Sequence, residues 1–305
     1  MKFVVTGAAG FIGSQLAEAL QSDGHEVLGI DCFTDSYDPA EKERNAQGLE
    51  IRRVDLAEDD LDLDGVDGVF HLAGQPGVRS FGDVFPLYLR RNVLATQRLL
   101  DVCARSGVRV VLASSSSVYG DAESYPTPED APTAPISPYG ITKLACEHLG
   151  RAYAKAFGLD VVVLRYFTVY GPRQRPDMFL RRVCEALASG AAFELYGDGS
   201  QSRSFTYVGD AVRASVAAME RAPAGTVLNV GGGDEATVLD AIAALERISG
   251  RALDVRRVEA ARGDVPRTKA DVTRARRVLG WVPDTTLADG LHAMWSWASA
   301  TVAAR

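Results

Sequence analysis

The chain contains 305 residues, of which 47% are apolar and 24% are charged, and its formal net charge at pH 7 is -7. These values are ordinary for a globular enzyme with a large core, and the negative charge argues against nucleic acid or an anionic membrane surface as a partner. No apolar run approaches membrane-spanning length, and the first strand begins so early that we expect no signal peptide. Four scattered cysteines lack the spacing of metal ligands, so we expect reduced thiols, a cytoplasmic location and no metal site.

The N-terminal stretch predicts a strand, a tight turn and a helix. An apolar run at residues 3–5 is followed by Gly7, Gly10 and Gly13, and residues 11–20 carry apolar side chains at helical spacing. Glycines permit a ligand to approach the backbone closely, and a helix N-terminus attracts a pyrophosphate. The spacing is Gly-x-x-Gly-x-x-Gly and not the Gly-x-Gly-x-x-Gly of most dinucleotide dehydrogenases, so a purely structural turn is the alternative.

The second predicted strand, residues 26–30, ends at Asp31. This carboxylate lies about 20 residues beyond the glycines, where an acidic side chain binds a ribose 2′-hydroxyl. A carboxylate would repel a 2′-phosphate, so the sequence favours NAD over NADP. The alternative is that Asp31 is a solvated loop residue.

Strands and helices alternate along the following chain. Near-continuous apolar strands between helices indicate a parallel sheet covered on both faces, and right-handed crossovers make the fold a doubly wound, Rossmann α/β fold. A long helix is predicted over residues 84–105, and another begins at Ser137-Pro138, with serine as the N-cap. The remaining strands, which bring the total to seven, are predicted at 51–56, 69–72, 108–113, 160–165 and 226–230.

From Thr168 onward the alternation loosens, and glycine, proline and arginine cluster at 170–176. We therefore predict a smaller, interleaved C-terminal α/β domain that binds the substrate. The predicted boundaries are 1–167 plus 206–231 for the NAD-binding domain and 168–205 plus 232–305 for the substrate domain.

Three residues suggest oxidation and reduction of an alcohol. Tyr139 and Lys143 lie four positions apart and share one helix face. An ammonium and a positive nicotinamide ring both favour a phenolate, which can take the proton of a secondary alcohol while hydride leaves its carbon. Ser115 directly follows an apolar strand, where parallel sheets place ligand sites, and its hydroxyl could hold the same oxygen. The alternatives are a surface helix and a flexible serine linker.

With these residues in place, the chain resembles the extended short-chain dehydrogenase/reductase family, and within it the nucleotide-sugar epimerases and dehydratases. The resemblance covers nearly the whole chain and is closest to the UDP-glucuronate 4-epimerases. The matching stretches are 6–13, 71–74, Asn92, 114–120, 137–143, 165–172 and 205–208, and those closest to the UDP-glucuronate group are 77–79, 114–120 and 167–178.

The resemblance implies a set of site residues. Asp55 and Leu56 would flank the adenine, Arg175 and Arg203 would hold the UDP phosphates, and Tyr196 would lie near the uracil. The implied NAD-binding residues are Gly7, Ala9, Gly10, Phe11, Ile12, Gly13, Asp31, Asp55, Leu56, Leu72, Ala73, Gly74, Asn92, Tyr139, Lys143 and Tyr166. The implied substrate-binding residues are Gly77, Arg79, Ser116, Ser117, Thr168, Arg175, Met178, Tyr196, Arg203 and Arg262. Arg262 directly precedes Gly263-Asp264, without the one-residue gap common in the family, which leaves open whether Arg262 or Arg267 reaches a phosphate.

The two residues after the catalytic serine indicate the reaction. In 4,6-dehydratases they are Asp-Glu, and in UDP-glucuronate decarboxylases the second is typically Glu, whereas here they are Ser116-Ser117. Without a carboxylate, elimination has no obvious general acid, so we predict an NAD-dependent UDP-sugar 4-epimerase that acts on UDP-glucuronate through a 4-keto intermediate. The alternatives are UDP-glucuronate decarboxylation, UDP-glucose 4-epimerisation and a catalytically silent NAD-binding regulator. The family resemblance alone implies a homodimer.

Overall fold

Seven parallel strands form the central sheet of the computed structural model, which describes residues 1–77, 81–259 and 265–303. Their register places the first strand in the middle, with the second and third strands on one side and four strands on the other. In chain order the described strands are β1 (Lys2–Thr6), β2 (Glu26–Asp31), β3 (Ile51–Arg53), β4 (Gly68–His71), β5 (Arg109–Ser115), β6 (Val161–Tyr166), β7 (Val169–Tyr170), β8 (Phe193–Tyr196), β9 (Ser202–Ser204), β10 (Thr206–Tyr207), β11 (Val227–Val230), β12 (Glu235–Thr237), β13 (Val255–Val258) and β14 (Arg267–Thr268).

The sheet order is β11-β6-β5-β4-β1-β2-β3, and all neighbouring strands in it are parallel. The chain therefore reverses its winding direction at β1, and the crevice beside such a reversal is where open α/β sheets bind ligands. The predicted doubly wound Rossmann fold is confirmed.

Helices cover both faces of this sheet. The described helices are α1 (Phe11–Ser22), α2 (Pro39–Asn45), α3 (Phe85–Tyr88), α4 (Ala95–Ser106), α5 (Pro138–Phe157), α6 (Phe179–Ser189), α7 (Val208–Arg221), α8 (Val238–Ser249), α9 (Thr273–Leu279) and α10 (Leu287–Ala303). One apolar core packs α1, α7 and α9 against one face, and a second packs α4 and α5 against the other. None of these described helices is both long enough and apolar enough to cross a membrane.

A third apolar core lies away from the sheet, between α6, α8, α10 and the short strand β8, which pairs with β13. It contains side chains from the range that the sequence assigns to the substrate domain. Two parts of that range pack instead in the core of the large sheet. They are Val169 of β7 and, in and after α9, Ala275, Leu279 and Trp281. Helix α9 thus packs against the large sheet, and the chain then continues into α10 in the third core.

Two elements differ locally from the sequence prediction. The strand predicted at 51–56 ends at Arg53, because the Asp55 carboxylate turns the chain by accepting a hydrogen bond from Ala57 N at 3.0 Å. The helix predicted over 84–105 contains a π-helical turn at Leu89–Leu94, which joins α3 to α4. Period counting along a sequence does not distinguish such a turn from ordinary helix.

His71 is a buried structural residue at the end of β4. Its Nδ1 lies 2.7 Å from Thr6 Oγ1, and its Nε2 lies 2.9 Å from Thr96 Oγ1. Burial, with a smaller contribution from Lys143, lowers the pKa of the His71 ring to about 3. The imidazole is therefore neutral and joins β1, β4 and α4.

Candidate active site

A cavity of about 730 Å³ runs along the carboxyl ends of the central strands and continues against the third apolar core. It brings together most of the residues predicted to bind NAD or substrate or to act in catalysis. The predicted residues that line it are Gly7, Gly10, Phe11, Ile12, Gly13, Asp31, Asp55, Leu56, Leu72, Ala73, Gly74, Gly77, Ser115, Ser116, Ser117, Tyr139, Lys143, Tyr166, Thr168, Arg175, Met178, Tyr196 and Arg203.

Two predicted NAD-binding residues lie behind the residues that line the cavity. Two predicted substrate-binding residues belong to parts of the chain that the structure does not describe. Ala9 N donates to Asp31 Oδ2 at 3.1 Å, and the buried Asn92 side chain holds Gln75 through both of its polar atoms at 2.6 and 3.1 Å. Both therefore act on residues that line the cavity without lining it themselves. Arg79 and Arg262 lie outside the described residues.

The turn after β1 lines the cavity with its glycines, and its own backbone packs too closely for larger residues. Gly7 has a φ of +71°, and a Cβ there would lie 2.9 Å from Ala73 N. A Cβ on Gly13 would lie 2.2 Å from Gly7 O. Helix α1 begins at Phe11 without a side-chain cap from any described residue. Its first N–H groups have no partner within the helix, so they can receive the pyrophosphate of NAD.

The Asp31 carboxylate is fixed at the end of β2. Its Oδ1 accepts a hydrogen bond from Phe33 N at 2.7 Å, and its Oδ2 accepts the one from Ala9 N. A carboxylate held in this way remains an acceptor for ribose hydroxyls and carries a charge that opposes a 2′-phosphate. The residues at this end of the cavity therefore fit NAD.

Tyr37 and Lys42 also line this end of the cavity, although the sequence did not single them out. Burial, with a smaller contribution from Asp31, raises the pKa of the Tyr37 phenol to about 12, so the phenol is neutral. Burial lowers the pKa of Lys42, whose Nζ donates to both oxygens of Thr34 at 2.7 Å. Tyr37 lies in the polar loop after β2, and Lys42 lies in α2. The sequence of this region contains no recognisable motif that would have identified them.

Helix α5 places Tyr139 and Lys143 as predicted. Ser137 Oγ caps the helix by accepting a hydrogen bond from Gly140 N at 3.1 Å. Lys143 Nζ lies 5.9 Å from the centre of the Tyr139 ring and donates to Ala113 O at 2.9 Å. The ammonium is thus anchored to the end of β5 and stands beside the phenol.

Ser115 ends β5 and faces the same part of the cavity. Its hydroxyl donates to Ser117 Oγ at 3.1 Å and accepts a hydrogen bond from Ser117 N at 3.2 Å. Gly140 permits the close approach of α5, because a Cβ there would lie 2.5 Å from Ser117 O. Hence the serine run is a structured turn against the helix start and not a flexible linker.

The far end of the cavity contains several arginines. Arg175 forms two hydrogen bonds with Asp177, and Arg203 Nη1 donates to Ser202 O at 2.8 Å. Arg182, which the sequence analysis missed, lies on the first turn of α6, with its guanidinium 5.2 Å from the Phe193 ring centre. The preceding sequence gives no signal for it, because Met178 is the extended N-cap of α6 and not part of the helix.

Arg267, which the sequence left as one of two candidates for contacting a phosphate, does not line the cavity. Its guanidinium makes two hydrogen bonds to Glu235, at 2.6 and 2.8 Å. Chiefly through these bonds, the pKa of Glu235 falls to about 2. Arg267 is therefore committed to a carboxylate beside the site.

Two polar atoms at this end have no hydrogen-bond partner among the described residues. They are Gln201 Oε1 and Thr268 Oγ1, both buried, and both residues line the cavity. Buried polar atoms usually find partners, so a bound ligand with hydroxyl or N–H groups fits here. Sequence reasoning did not identify either residue.

Comparisons with known proteins agree with this geometry. Residues 3–231 match the family described as the NAD dependent epimerase/dehydratase family. An uncharacterized UDP-glucose epimerase of Bacillus subtilis, YtcB, is 42% identical over 95% of this chain and 96% of its own length. A UDP-glucuronate 4-epimerase of Thermodesulfobacterium geofontis is 33% identical over 98% of this chain and 97% of its own length.

Solved structures match over the whole chain. The UDP-glucuronic acid 4-epimerase from Bacillus cereus, solved in complex with UDP-glucuronic acid and NAD, has a TM-score of 0.95 and 40% identity. The match covers 99% of this chain and 100% of that one.

Proposed function

Since this chain belongs to the NAD-dependent epimerase/dehydratase family, we propose that it catalyses the NAD-dependent 4-epimerisation of UDP-glucuronate to UDP-galacturonate. One observation carries the proposal. Ser115, Tyr139 and Lys143 lie in a single cavity that extends from the glycine turn and Asp31 to Arg175, Arg182 and Arg203. The cavity therefore offers room for a dinucleotide and a sugar nucleotide on either side of one proton-transfer group.

Bound NAD supplies the hydride chemistry, taking a hydride from C4 of the sugar and returning it to the opposite face of the ring. Tyr139, as a phenolate, takes the O4 proton during oxidation and gives it back during reduction. Ser115 lines the same part of the cavity, and its hydroxyl would hold the same oxygen by turning its proton from Ser117 Oγ to the substrate. Lys143, anchored on Ala113 O, stabilises the negative charge on the phenol. The 4-keto sugar turns between the two steps, and the arginines keep its UDP portion bound.

The absence of an acid beside Ser115 supports epimerisation over elimination. Ser116 and Ser117 occupy the two following positions. Among the described residues, the carboxylates that line the cavity are Asp31, Asp55, Asp177 and Glu194. The first two lie near the ends of β2 and β3, and the other two lie before α6 and on β8, so all four belong to the nucleotide ends of the cavity.

A uronate carboxylate fits the hydroxyl groups around the sugar position. Ser116, Ser117 and Thr168 line this part of the cavity. Ser117 Oγ accepts the proton of Ser115, so its own proton remains available for donation. Hydrogen bonds to a charged group contribute about 1.5–3 kcal/mol each, which favours UDP-glucuronate over the neutral CH2OH of UDP-glucose. The ligands in the similar Bacillus cereus structure support the same choice.

We also propose how the chain is divided and where it acts. Residues 1–167 plus 206–231 bind NAD, and residues 168–205 plus 232–305 bind the sugar nucleotide, although α9 packs against the large sheet. The exposed apolar side chains Leu89, Leu94 and Ile141 on neighbouring helices support a homodimer. The free cysteines, of which Cys32 is exposed, support a cytoplasmic location.

The test is to incubate the purified protein separately with UDP-glucuronate, UDP-glucose and UDP-N-acetylglucosamine and to identify the products by NMR. We expect UDP-galacturonate from the first substrate and slow or no turnover of the others. Mainly UDP-xylose or its 4-keto form would show a decarboxylase. UDP-galactose as the main product would favour UDP-glucose 4-epimerisation, the activity in the name of the Bacillus subtilis relative. NAD binding without any turnover would indicate a silent regulator.

A further inference from the structure

A buried ion pair lies directly behind the proposed catalytic residues. Glu147 of α5 and Arg165 of β6 are 1% and 3% exposed. Arg165 Nε donates to Glu147 Oε1 at 2.9 Å, and Arg165 Nη2 donates to Glu147 Oε2 at 2.7 Å. This pair does not line the cavity, and the proposed reaction does not use it.

The pair forms hydrogen bonds with both ends of residues Ser114–Tyr119, which we call the serine segment. At its start, Ser114 Oγ donates to Glu147 Oε1 at 2.5 Å. At its end, Arg165 Nη1 donates to Tyr119 Oη at 2.8 Å, and the Tyr119 hydroxyl donates to Asn229 Oδ1 at 2.7 Å. The three serines that face the sugar lie between these two anchor points.

The same pair also holds the helix that carries the proposed base. Glu147 follows Lys143 by four positions and Tyr139 by eight, so successive turns of one face of α5 present all three. Arg165 lies opposite Ser114 in the register of β5 and β6. The Glu147 carboxylate and the Arg165 guanidinium thus connect the serine segment, strand β6 and helix α5, which carries Tyr139.

We propose that the Glu147–Arg165 pair is a positioning device that determines whether the 4-keto intermediate is reduced or loses CO2. This inference rests on the proposed function and adds the element that controls its outcome. A buried, fully hydrogen-bonded ion pair strongly disfavours arrangements that separate its charges. It therefore holds the serine hydroxyls at one distance from Tyr139 and holds the substrate carboxylate at one torsion.

The competing step is defined by the chemistry of a β-keto acid. In the 4-keto form of UDP-glucuronate, the C5–C6 bond breaks and CO2 leaves. The electron pair forms an enolate across C4 and C5, and C5 then takes up one proton, which gives a UDP-4-keto-pentose. Return to C4 of the hydride removed in the first step converts this ketone to a UDP-pentose. The step requires the C5–C6 bond to align with the carbonyl π system. Displacement of the serine segment would permit that alignment.

Three variants test the proposal. Ser114→Ala removes one anchor without an unpaired charge, Glu147→Gln removes the charge, and Glu147→Gln with Arg165→Met leaves neither charge buried alone. The measurement is the ratio of UDP-pentose plus CO2 to UDP-galacturonate, by NMR and CO2 capture. For Glu147→Gln and the double variant the ratio should rise about tenfold, and for Ser114→Ala it should rise less, because small displacements of reacting groups change rates steeply.

The matched control is Glu41→Gln. Glu41 forms a comparable two-point pair with the buried Arg181, at 2.7 Å for both bonds, away from the serine segment. This variant should lose stability and retain the wild-type product ratio. The double variant keeps the test valid if Glu147→Gln does not fold.

The two hypotheses fail in different ways. A wild-type protein that makes no UDP-galacturonate contradicts the proposed function. A wild-type epimerase whose folded Ser114→Ala and double variants keep the wild-type product ratio overturns only the positioning role. An equal change of the ratio in Glu41→Gln would also overturn it, because the effect would then follow general stability.

Discussion

Arg175 and Asp177 form a two-point ion pair on the wall of the cavity, with Nε 3.0 Å from Oδ1 and Nη2 3.0 Å from Oδ2. Arg175 is one of the residues proposed to hold the UDP phosphates. A guanidinium fork fits carboxylate and phosphate oxygens in the same geometry, so a bound pyrophosphate must compete with Asp177 for it.

This competition predicts opposite effects for the two residues. Arg175→Gln should raise the KM for UDP-glucuronate about tenfold or more, because a hydrogen bond to a charged group contributes about 1.5–3 kcal/mol. Asp177→Asn should lower the Kd for UDP, because it removes the competing charge. Steady-state kinetics and calorimetry with UDP measure both. An unchanged KM in both Arg175→Gln and Arg203→Gln would place the phosphate site elsewhere.

Tyr139→Phe should abolish turnover and leave NAD content and UDP affinity close to those of the wild type. In the proposed reaction the phenol transfers the proton, and the loss of such a group typically costs about a hundredfold or more in rate. The measurement combines kcat with the NAD released on denaturation. A variant that turned over at near-normal rates would require another base.

The protein should bind NAD more tightly than NADP, and substitution of Asp31 should narrow the difference. Asp31→Ala also removes the acceptor of the Ala9 and Phe33 N–H groups, so it should weaken the binding of both cofactors. Asp31→Asn keeps one acceptor oxygen and separates the charge effect from the loosened turn. Kd values for both cofactors provide the comparison, and a wild-type preference for NADP would refute the assignment.

Ser117→Glu and Thr168→Val should lower epimerase activity and increase the release of UDP-pentose and CO2. The glutamate repels the substrate carboxylate, and the valine removes one of its hydrogen-bond donors. Thr168→Ser keeps the hydroxyl and should behave like the wild type. If Ser117 and Thr168 only stabilise the local backbone, the ratio of UDP-pentose to UDP-galacturonate will stay that of the wild type in all three variants, whether or not their activity falls.

Acidification should destabilise the fold through His71. The pKa of its ring is about 3 in the folded protein, well below the ordinary value, so the unfolded chain binds the proton first as pH falls. The stability that depends on neutral His71 is present above about pH 6.5 and is lost at about 1.4 kcal/mol per pH unit below it. Urea unfolding at pH 7.5 and 5.5 should show this loss in the wild type and in the exposed control His292→Asn. His71→Asn should show a smaller loss, and an equal one would contradict the prediction.

The sequence by itself determined the elements that depend on short stretches of chain. Strand periodicity, the Ser137 cap and the glycine turn predicted the parallel sheet and the starts of α1 and α5, because neighbouring residues specify these features. The four-residue spacing of Tyr139 and Lys143 similarly placed them on one face, since a helix turns every 3.6 residues.

Only the tertiary structure decided which distant side chains meet. Ser114 reaches Glu147 across 33 positions, and Arg181 reaches Glu41 across 140. The structure also placed Arg267 against Glu235, Arg175 against Asp177 and Arg182 in the cavity. An arginine in a sequence can pair with any acid or anion that the fold brings near it, and its partner depends on chain crossings and on burial. Local patterns therefore predicted the scaffold and the helix spacing of the residues proposed for proton transfer, whereas the charge pairs around them became visible only when the chain had folded.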